Sequence, residues 1–173
     1  MNRLLALGVL IALIAVPLAT RPASPTAGET LVIITPHGEP IRAEFARAFS
    51  AWYQRQHGRT VQVDWRTPGG TSDIRRFLDG TYRSRFREQF PAHAAAARIF
   101  AAAKPPADAT DQELAAYPAA RAAFLTSNVS TGIDLFFGGG EFPYSQMAAQ
   151  GYLVDAGLLN REPQWFTEAV IPQ

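Results

Sequence analysis

The chain has 173 residues, enough for one domain or one lobe of a larger protein with a sizeable core. Its formal net charge of +1 argues against a dedicated nucleic-acid binder, which carries a marked basic excess. It contains no cysteine, which excludes disulfides, thiolate metal sites and a lipidated cysteine.

The N-terminus has the composition of a secretory signal peptide. Arg3 precedes an apolar run from Leu4 to Ala19, which is shorter than the ~20 residues of a membrane-spanning helix. A stretch rich in Pro, Ala, Ser and Thr follows, so residues 1–27 are expected to be signal peptide and leader. The sequence therefore predicts export to the periplasm or the extracellular space. The alternatives are a buried core helix and an uncleaved membrane anchor.

Three β-rich runs are each followed by a turn and a helical pattern. Thr30–Thr35 is continuously apolar, Thr60–Trp65 alternates, and Ile133–Phe137 is a short aromatic and branched run that predicts a fully buried strand. The order β-α-β-α-β-α predicts an α/β fold of three layers, with a mostly parallel sheet and helices on both faces. The first strand is expected in the middle.

The first two helices carry apolar side chains at helical spacing. The first is expected from about Pro40 to Gly58, because glycine commonly ends a helix. It is predicted to carry one apolar stripe, made of Ile41, Phe45, Phe49 and Trp52. The second is expected to be capped from within Thr71–Asp73. Its inward residues are predicted to be Ile74, Phe77 and Leu78. The third helix is expected from Tyr144 to about Gln150, with Pro143 in its first turn.

Residues 81–128 exceed what a β-α-β crossover needs and are expected to form a helical insertion on the surface. An alanine-rich helix is predicted at about His93–Ala103. Thr110–Glu113 has the form of a capping box, which predicts another helix, interrupted near Pro118. Three arginines in this segment either contact an acidic partner or form a solvated face: Arg83, Arg85 and Arg87.

Polar or glycine-rich turns follow each predicted strand, and ligands of open α/β sheets bind outside the carboxyl ends of the strands. Free N–H groups at helix N-termini, with the helix dipole, favour an anionic group there. The alternative is that these glycines only turn the chain. Nine residues are the candidate ligand contacts: His37, Gly38, Glu39, Gly70, Thr71, Ser72, Gly139, Gly140 and Glu141.

These pieces, in this order, resemble the N-terminal lobe of an extracellular solute-binding protein of an ABC importer, close to the iron(III) and polyamine group. The similar pieces are the helix with Glu44-Phe-Ala-Arg-Ala-Phe-Ser-Ala-Trp, the strand Val61-Gln-Val-Asp before Gly69-Gly-Thr-Ser, and Ile133-Asp-Leu-Phe-Phe-Gly-Gly-Gly before a helix and Gly151-Tyr-Leu-Val-Asp. The resemblance covers about residues 30–80 and 132–159.

The resemblance implies that residues 28–173 are one lobe of a two-lobed fold like that of periplasmic binding proteins, with the second lobe missing from this chain. It implies a monomeric, non-catalytic protein that captures a small solute, of the iron(III), anion or polyamine class, and delivers it to an ABC permease in the inner membrane. By the same resemblance, His37 and Glu141 would be ligands of transported iron(III). A hard cation would also favour the oxygens of Glu39 and Tyr144. No other cofactor is expected.

No nucleophile elbow, zinc-protease pair or Walker loop is present in the sequence, which argues against catalysis. Two alternatives from other classes stay open. Turnover by the purified chain would indicate a secreted α/β enzyme, whereas retention of the apolar N-terminus would indicate a membrane-anchored ligand-sensing domain.

Overall fold

The computed structural model describes residues 28–157; the predicted signal peptide, the leader and the segment after Gly157 lie outside this range. The fold is α/β. Its strands are β1 (Glu29–Ile34), β2 (Val61–Arg66) and β3 (Leu135–Phe136), and its helices are α1 (Glu39–His57), α2 (Thr71–Gln89), α3 (Asp111–Leu125) and α4 (Glu141–Gln150), with a 3₁₀ helix at Pro91–Ala96. Within the described residues, no helix has both the length and the apolar character needed to cross a membrane.

The sheet has the order β2-β1-β3, so the first strand is central, as predicted. β1 and β3 are parallel, with Ile33 opposite Leu135 and Ile34 opposite Phe136. The α/β class and the parallel sheet are confirmed. A three-layer arrangement and membership of a two-lobed protein stay predictions.

β3 is shorter and less buried than predicted. The Asp134 carboxylate accepts a hydrogen bond from the Val32 N–H at 2.8 Å, in place of a main-chain carbonyl, and main-chain pairing begins with the Asp134 N–H, which donates to the Val32 carbonyl at 2.9 Å. Leu135 is 41% exposed, whereas Phe136 packs against the core. One face of this strand is therefore open, and the prediction of a fully buried strand is wrong.

Two compact units make up the described chain: residues 28–31 with 43–63, and residues 32–42 with 64–157. In the first unit, aromatic rings of α1 stack along the helix surface, with Phe49 between Phe45 (5.9 Å) and Trp52 (5.8 Å). Gly58 ends α1 as predicted, with φ +66° and its N–H donated to the Gln54 carbonyl.

The apolar stripe predicted on α1 is not buried in a core. No residue of α1 is buried, and Ile41 and Trp52 are 48% and 43% exposed. The aromatic side chains Phe45, Phe49 and Trp52 contact one another along the helix, so the periodicity here records stacking between successive turns and not burial.

In the second unit, α2 runs to Gln89, into the segment that was predicted to be an insertion. Its buried residues Ile74, Leu78 and Phe86 are separated by multiples of four and lie on one side of the helix. Phe77 lies off that side and is 42% exposed, so its prediction as an inward residue is wrong.

Residues 81–128 supply much of the core of the second unit. The rings of Phe86 and Phe100 stack at 4.0 Å, and Phe124 meets Phe100 edge-on at 4.8 Å. All three belong to the cluster that contains Ile34 of β1. The expectation that this segment lies on the surface is therefore wrong for these residues. Whether it is an insertion relative to solute-binding proteins stays a prediction.

Two local predictions in this segment are also wrong. The alanine-rich stretch forms a 3₁₀ helix and turns, closed by bonds such as Ile99 N–H to Ala96 carbonyl, which bring Ile99 and Phe100 inward. α3 continues through Pro118. Because Pro118 is exposed, water can satisfy the carbonyl that its missing N–H leaves free.

The capping box at the start of α3 is confirmed. The Thr110 hydroxyl accepts from the Glu113 N–H at 3.2 Å, and Glu113 accepts from the Thr110 N–H at 2.9 Å. Arg98 donates to the same carboxylate at 2.7 Å. The hydrogen bond from Arg98, followed by that from the Thr110 N–H, lowers the pKa of Glu113 to about 2.

Stability is therefore expected to fall at acid pH through Glu113. Because its folded-state pKa lies below its ordinary value of 4.5, the contribution of Glu113 to the free energy of unfolding is complete above pH 4.5 and is lost as pH falls through about 2. Glu113→Gln should lower stability at neutral pH and flatten its pH dependence in this window, measured by urea unfolding. Glu88→Gln, at an exposed carboxylate of α2, is the control. An unchanged pH slope in Glu113→Gln would contradict the assignment.

Candidate functional site

The ends of all three strands lie side by side. The Thr35 N–H, directly after β1, donates to the Arg66 carbonyl at the end of β2 at 3.0 Å. On the other side, the Phe137 N–H after β3 donates to the Ile34 carbonyl at 2.9 Å. The segments that follow the strands therefore leave the sheet next to one another, as the sequence predicted.

Each strand is joined to its helix by four residues that end in glycine. The connections are residues 35–38, 67–70 and 137–140, and we call the edge that they form, together with the first turns of the helices that follow them, the rim. Gly70 and Gly140 are the N-cap residues of α2 and α4, with extended backbone, and Gly38 directly precedes α1. An N-cap side chain normally accepts a first-turn N–H, and glycine has none. Three helix N-termini thus open onto the rim without an N-cap side chain.

One backbone N–H at the N-terminus of α2 is already hydrogen-bonded to a side chain of the same helix. Asp73 accepts a hydrogen bond from the Gly70 N–H at 2.9 Å and also pairs with Arg76. These two hydrogen bonds, the one from Arg76 being the stronger influence, lower the pKa of Asp73. The N-cap residue is Gly70, so of the three capping candidates in Thr71–Asp73 only Asp73 acts, and it does so from the third helical position.

His37 joins the first connection to the third. A Cβ atom added to Gly138 would lie 2.4 Å from His37 Nε2, so the ring rests directly against that glycine. The ring centroid lies 5.0 Å from that of Phe137, and the His37 N–H donates to the Thr35 hydroxyl at 3.2 Å. His37 is half-buried and thus has a fixed place on the rim.

Tyr144 holds the third connection in shape. Its hydroxyl donates to the Gly138 carbonyl at 2.6 Å, with the Phe136 carbonyl at 3.1 Å. Burial raises the pKa of Tyr144, so the phenol stays protonated at neutral pH. Tyr144 therefore positions the backbone here, and the expectation that its oxygen is offered to a hard cation stays a prediction.

The carboxylates of the rim differ in their surroundings. Glu39 pairs with Arg42 at 2.6 Å, whereas exposed Glu141, the first residue of α4, forms no salt bridge within residues 28–157. Across the same residues, no three His, Cys, Asp or Glu side chains are grouped so as to hold a metal ion. Iron(III) binding by His37 and Glu141 stays a prediction.

No protein-family model, curated protein or solved structure matches this chain.

A cavity of about 380 Å³ adjoins the rim at Ser72 and follows α2 towards its middle. Its charged lining was not predicted as a site, although its spacing was visible in the sequence. Ser72, Arg76, Asp79 and Arg83 recur at intervals of four, three and four, which places them on one side of a helix.

Proposed function

We propose that this chain is the extracytoplasmic solute-binding component of an ABC import system. The observation that carries the proposal is the meeting of three strand ends and three glycine-preceded helix starts at one edge of a parallel sheet. This is the place where open α/β folds bind small ligands. The order of strands, glycine-ending connections and helices along the chain supports the same proposal. In this proposal the protein binds its solute without converting it.

The chemistry of the rim favours a solute that accepts hydrogen bonds. First-turn N–H groups have no carbonyl partner inside their own helix, and the dipole places partial positive charge beside them. Asp73 uses the Gly70 N–H, so the donors left at α2 are the N–H and hydroxyl groups of Thr71 and Ser72. At α4, Glu141 offers the N–H equivalent to that of Thr71, and the N-cap residue Gly140 adds its own N–H.

Capture requires a second surface that closes over the rim. In the proposed mechanism that surface belongs to a second lobe, and the solute shifts the population towards the closed form because only that form contacts it from both sides. The closed protein then presents the solute to a permease in the membrane.

The proposal is tested by thermal unfolding of the full-length protein with a panel of small solutes: phosphate and sulfate, ferric citrate, and spermidine. One class should stabilise the protein, by ~2.7 kcal/mol at about 100 times its dissociation constant. Gly140→Leu should remove that gain. The backbone of Gly140 is extended and a Cβ there meets no atom within 4 Å, so the new side chain blocks the rim without straining the fold.

Gly80→Leu is the matched control, because Gly80 lies inside α2, nine residues beyond its start, and also has open space around it. It should keep the full gain. Equal affinity in Gly140→Leu and in the unaltered protein would show that the solute binds elsewhere. Chemical conversion of the solute would reassign the chain to an enzyme.

A further inference from the structure

The cavity beside the rim is unusually basic. Three of the side chains around its 380 Å³ are arginines on one helix, Arg75, Arg76 and Arg83, and one is a carboxylate, Asp79. Ser72, in the first turn of α2, belongs both to this cavity and to the rim. The two spaces therefore meet at the N-terminus of α2.

The carboxylate is already satisfied by its neighbours. Asp79 pairs with Arg83 at 2.8 Å and accepts a hydrogen bond from the Tyr152 hydroxyl at 2.8 Å. Arg76 pairs with Asp73. Arg75, half-buried, forms no salt bridge within the part of the chain that the structure describes. The lining thus has three guanidinium groups against one carboxylate, a surplus of positive charge with Arg75 uncompensated.

We propose that this cavity binds the phosphate group of a small phosphate ester. The inference rests on the proposed function, because it identifies the solute as one whose polar part contacts the rim while its phosphate lies beside Arg75. An anionic group matches the uncompensated charge of Arg75, and the planar fork of arginine bonds two phosphate oxygens at once.

Neutral donors complete the site. Ser72, in the first turn of α2, and Gln150, the last residue of α4, also line the cavity and can donate hydrogen bonds. The volume falls within the ~300–1,000 Å³ of small-ligand sites and leaves room for an organic part beyond the phosphate. The cavity therefore suits an ester better than inorganic phosphate alone.

Calorimetric titration of the full chain with glycerol 3-phosphate, and with glycerol as the uncharged match, tests the proposal. The phosphate ester should bind, more weakly as salt is raised, and glycerol should not. Arg75→Gln should weaken binding by at least about tenfold, because the charge-assisted hydrogen bonds of its guanidinium to the phosphate are lost. Arg87→Gln, at an exposed arginine on the same helix outside the cavity, should leave binding unchanged.

The same titration of Gly140→Leu separates the two proposals. If Arg75→Gln and Gly140→Leu each weaken binding of the ester, the result supports both the phosphate cavity and the solute site at the rim. Binding that depends on Arg75 but not on Gly140 supports the phosphate cavity and removes the rim from the solute site. Binding that Arg75→Gln leaves intact, or no binding of the ester at all, overturns the phosphate cavity; the proposed function is then decided by the other solutes of the thermal panel.

Vesicles distinguish a soluble ester from a lipid headgroup. The chain should not sediment with phosphatidylcholine vesicles that contain phosphatidic acid. Sedimentation that Arg75→Gln abolishes would overturn the assignment to a soluble solute and assign the site to a membrane phosphate.

Discussion

Replacing Phe86 by alanine is expected to lower the free energy of unfolding by about 3–5 kcal/mol. Phe86 is fully buried, and its ring stacks on Phe100 at 4.0 Å with an interplanar angle of 4°. It also meets Phe124 edge-on at 6.2 Å. Truncation leaves a cavity between Phe100, Phe124 and the rest of the buried cluster, so the loss should approach the upper part of this range. Urea unfolding followed by circular dichroism measures it.

Phe77→Ala is the matched control, because Phe77 is on the same helix and 42% exposed. Its loss should stay below about 1 kcal/mol, since little apolar area leaves the core. The double variant Phe86→Ala/Phe100→Ala should cost less than the sum of the single changes, because the two rings share one contact. If Phe86→Ala and Phe77→Ala were equally mild, residues 81–128 would be peripheral after all.

The sequence was most informative where local chemistry alone determines structure. The three strands, the glycine at the end of α1 and the capping box of Thr110 and Glu113 each depend on a few adjacent residues. The central position of β1 followed from the general behaviour of β-α-β units.

The errors arose where long-range packing decides. The stripe of α1 has helical spacing, but spacing does not reveal whether another element covers it, and Trp52 is exposed. The alanine-rich stretch favours an α-helix by propensity, yet burial of Ile99 and Phe100 against α2 and α3 selects tighter turns. Propensity is a weak preference beside the burial of large side chains.

At the rim, the sequence placed the backbone but not the side chains. That three turns share one edge follows from parallel strands. Two hydrogen bonds at the rim depend on rotamers and distances that sequence spacing does not encode. Asp73 accepts from the Gly70 N–H, and the Tyr144 hydroxyl donates to the Gly138 carbonyl. The glycine before each helix could be read from the sequence. The equal four-residue length of the three connections became clear only from the helix boundaries in the structure.

Replacing Gly138 by alanine is expected to lower the free energy of unfolding by about 1–3 kcal/mol and to displace His37. Gly138 has φ +92°, a backbone conformation that residues other than glycine rarely adopt. Its new Cβ would lie 2.4 Å from His37 Nε2. Because the Tyr144 hydroxyl holds the Gly138 carbonyl at 2.6 Å, the connection cannot easily move away, and the imidazole ring must. Urea unfolding measures the loss, and NMR of the imidazole signals reports the displacement.

Two further variants separate strain from collision. Gly132→Ala also places a side chain at positive φ (+72°), but its Cβ meets no atom within 4 Å, so it suffers backbone strain alone. His37→Ala in the Gly138→Ala background removes the collision and should recover the part of the loss that exceeds that of Gly132→Ala. Equal losses at the two glycines, with unchanged His37 signals, would mean that His37 does not rest against Gly138 in solution. The first and third connections would then be independent, and the rim would lose the side chain that joins them.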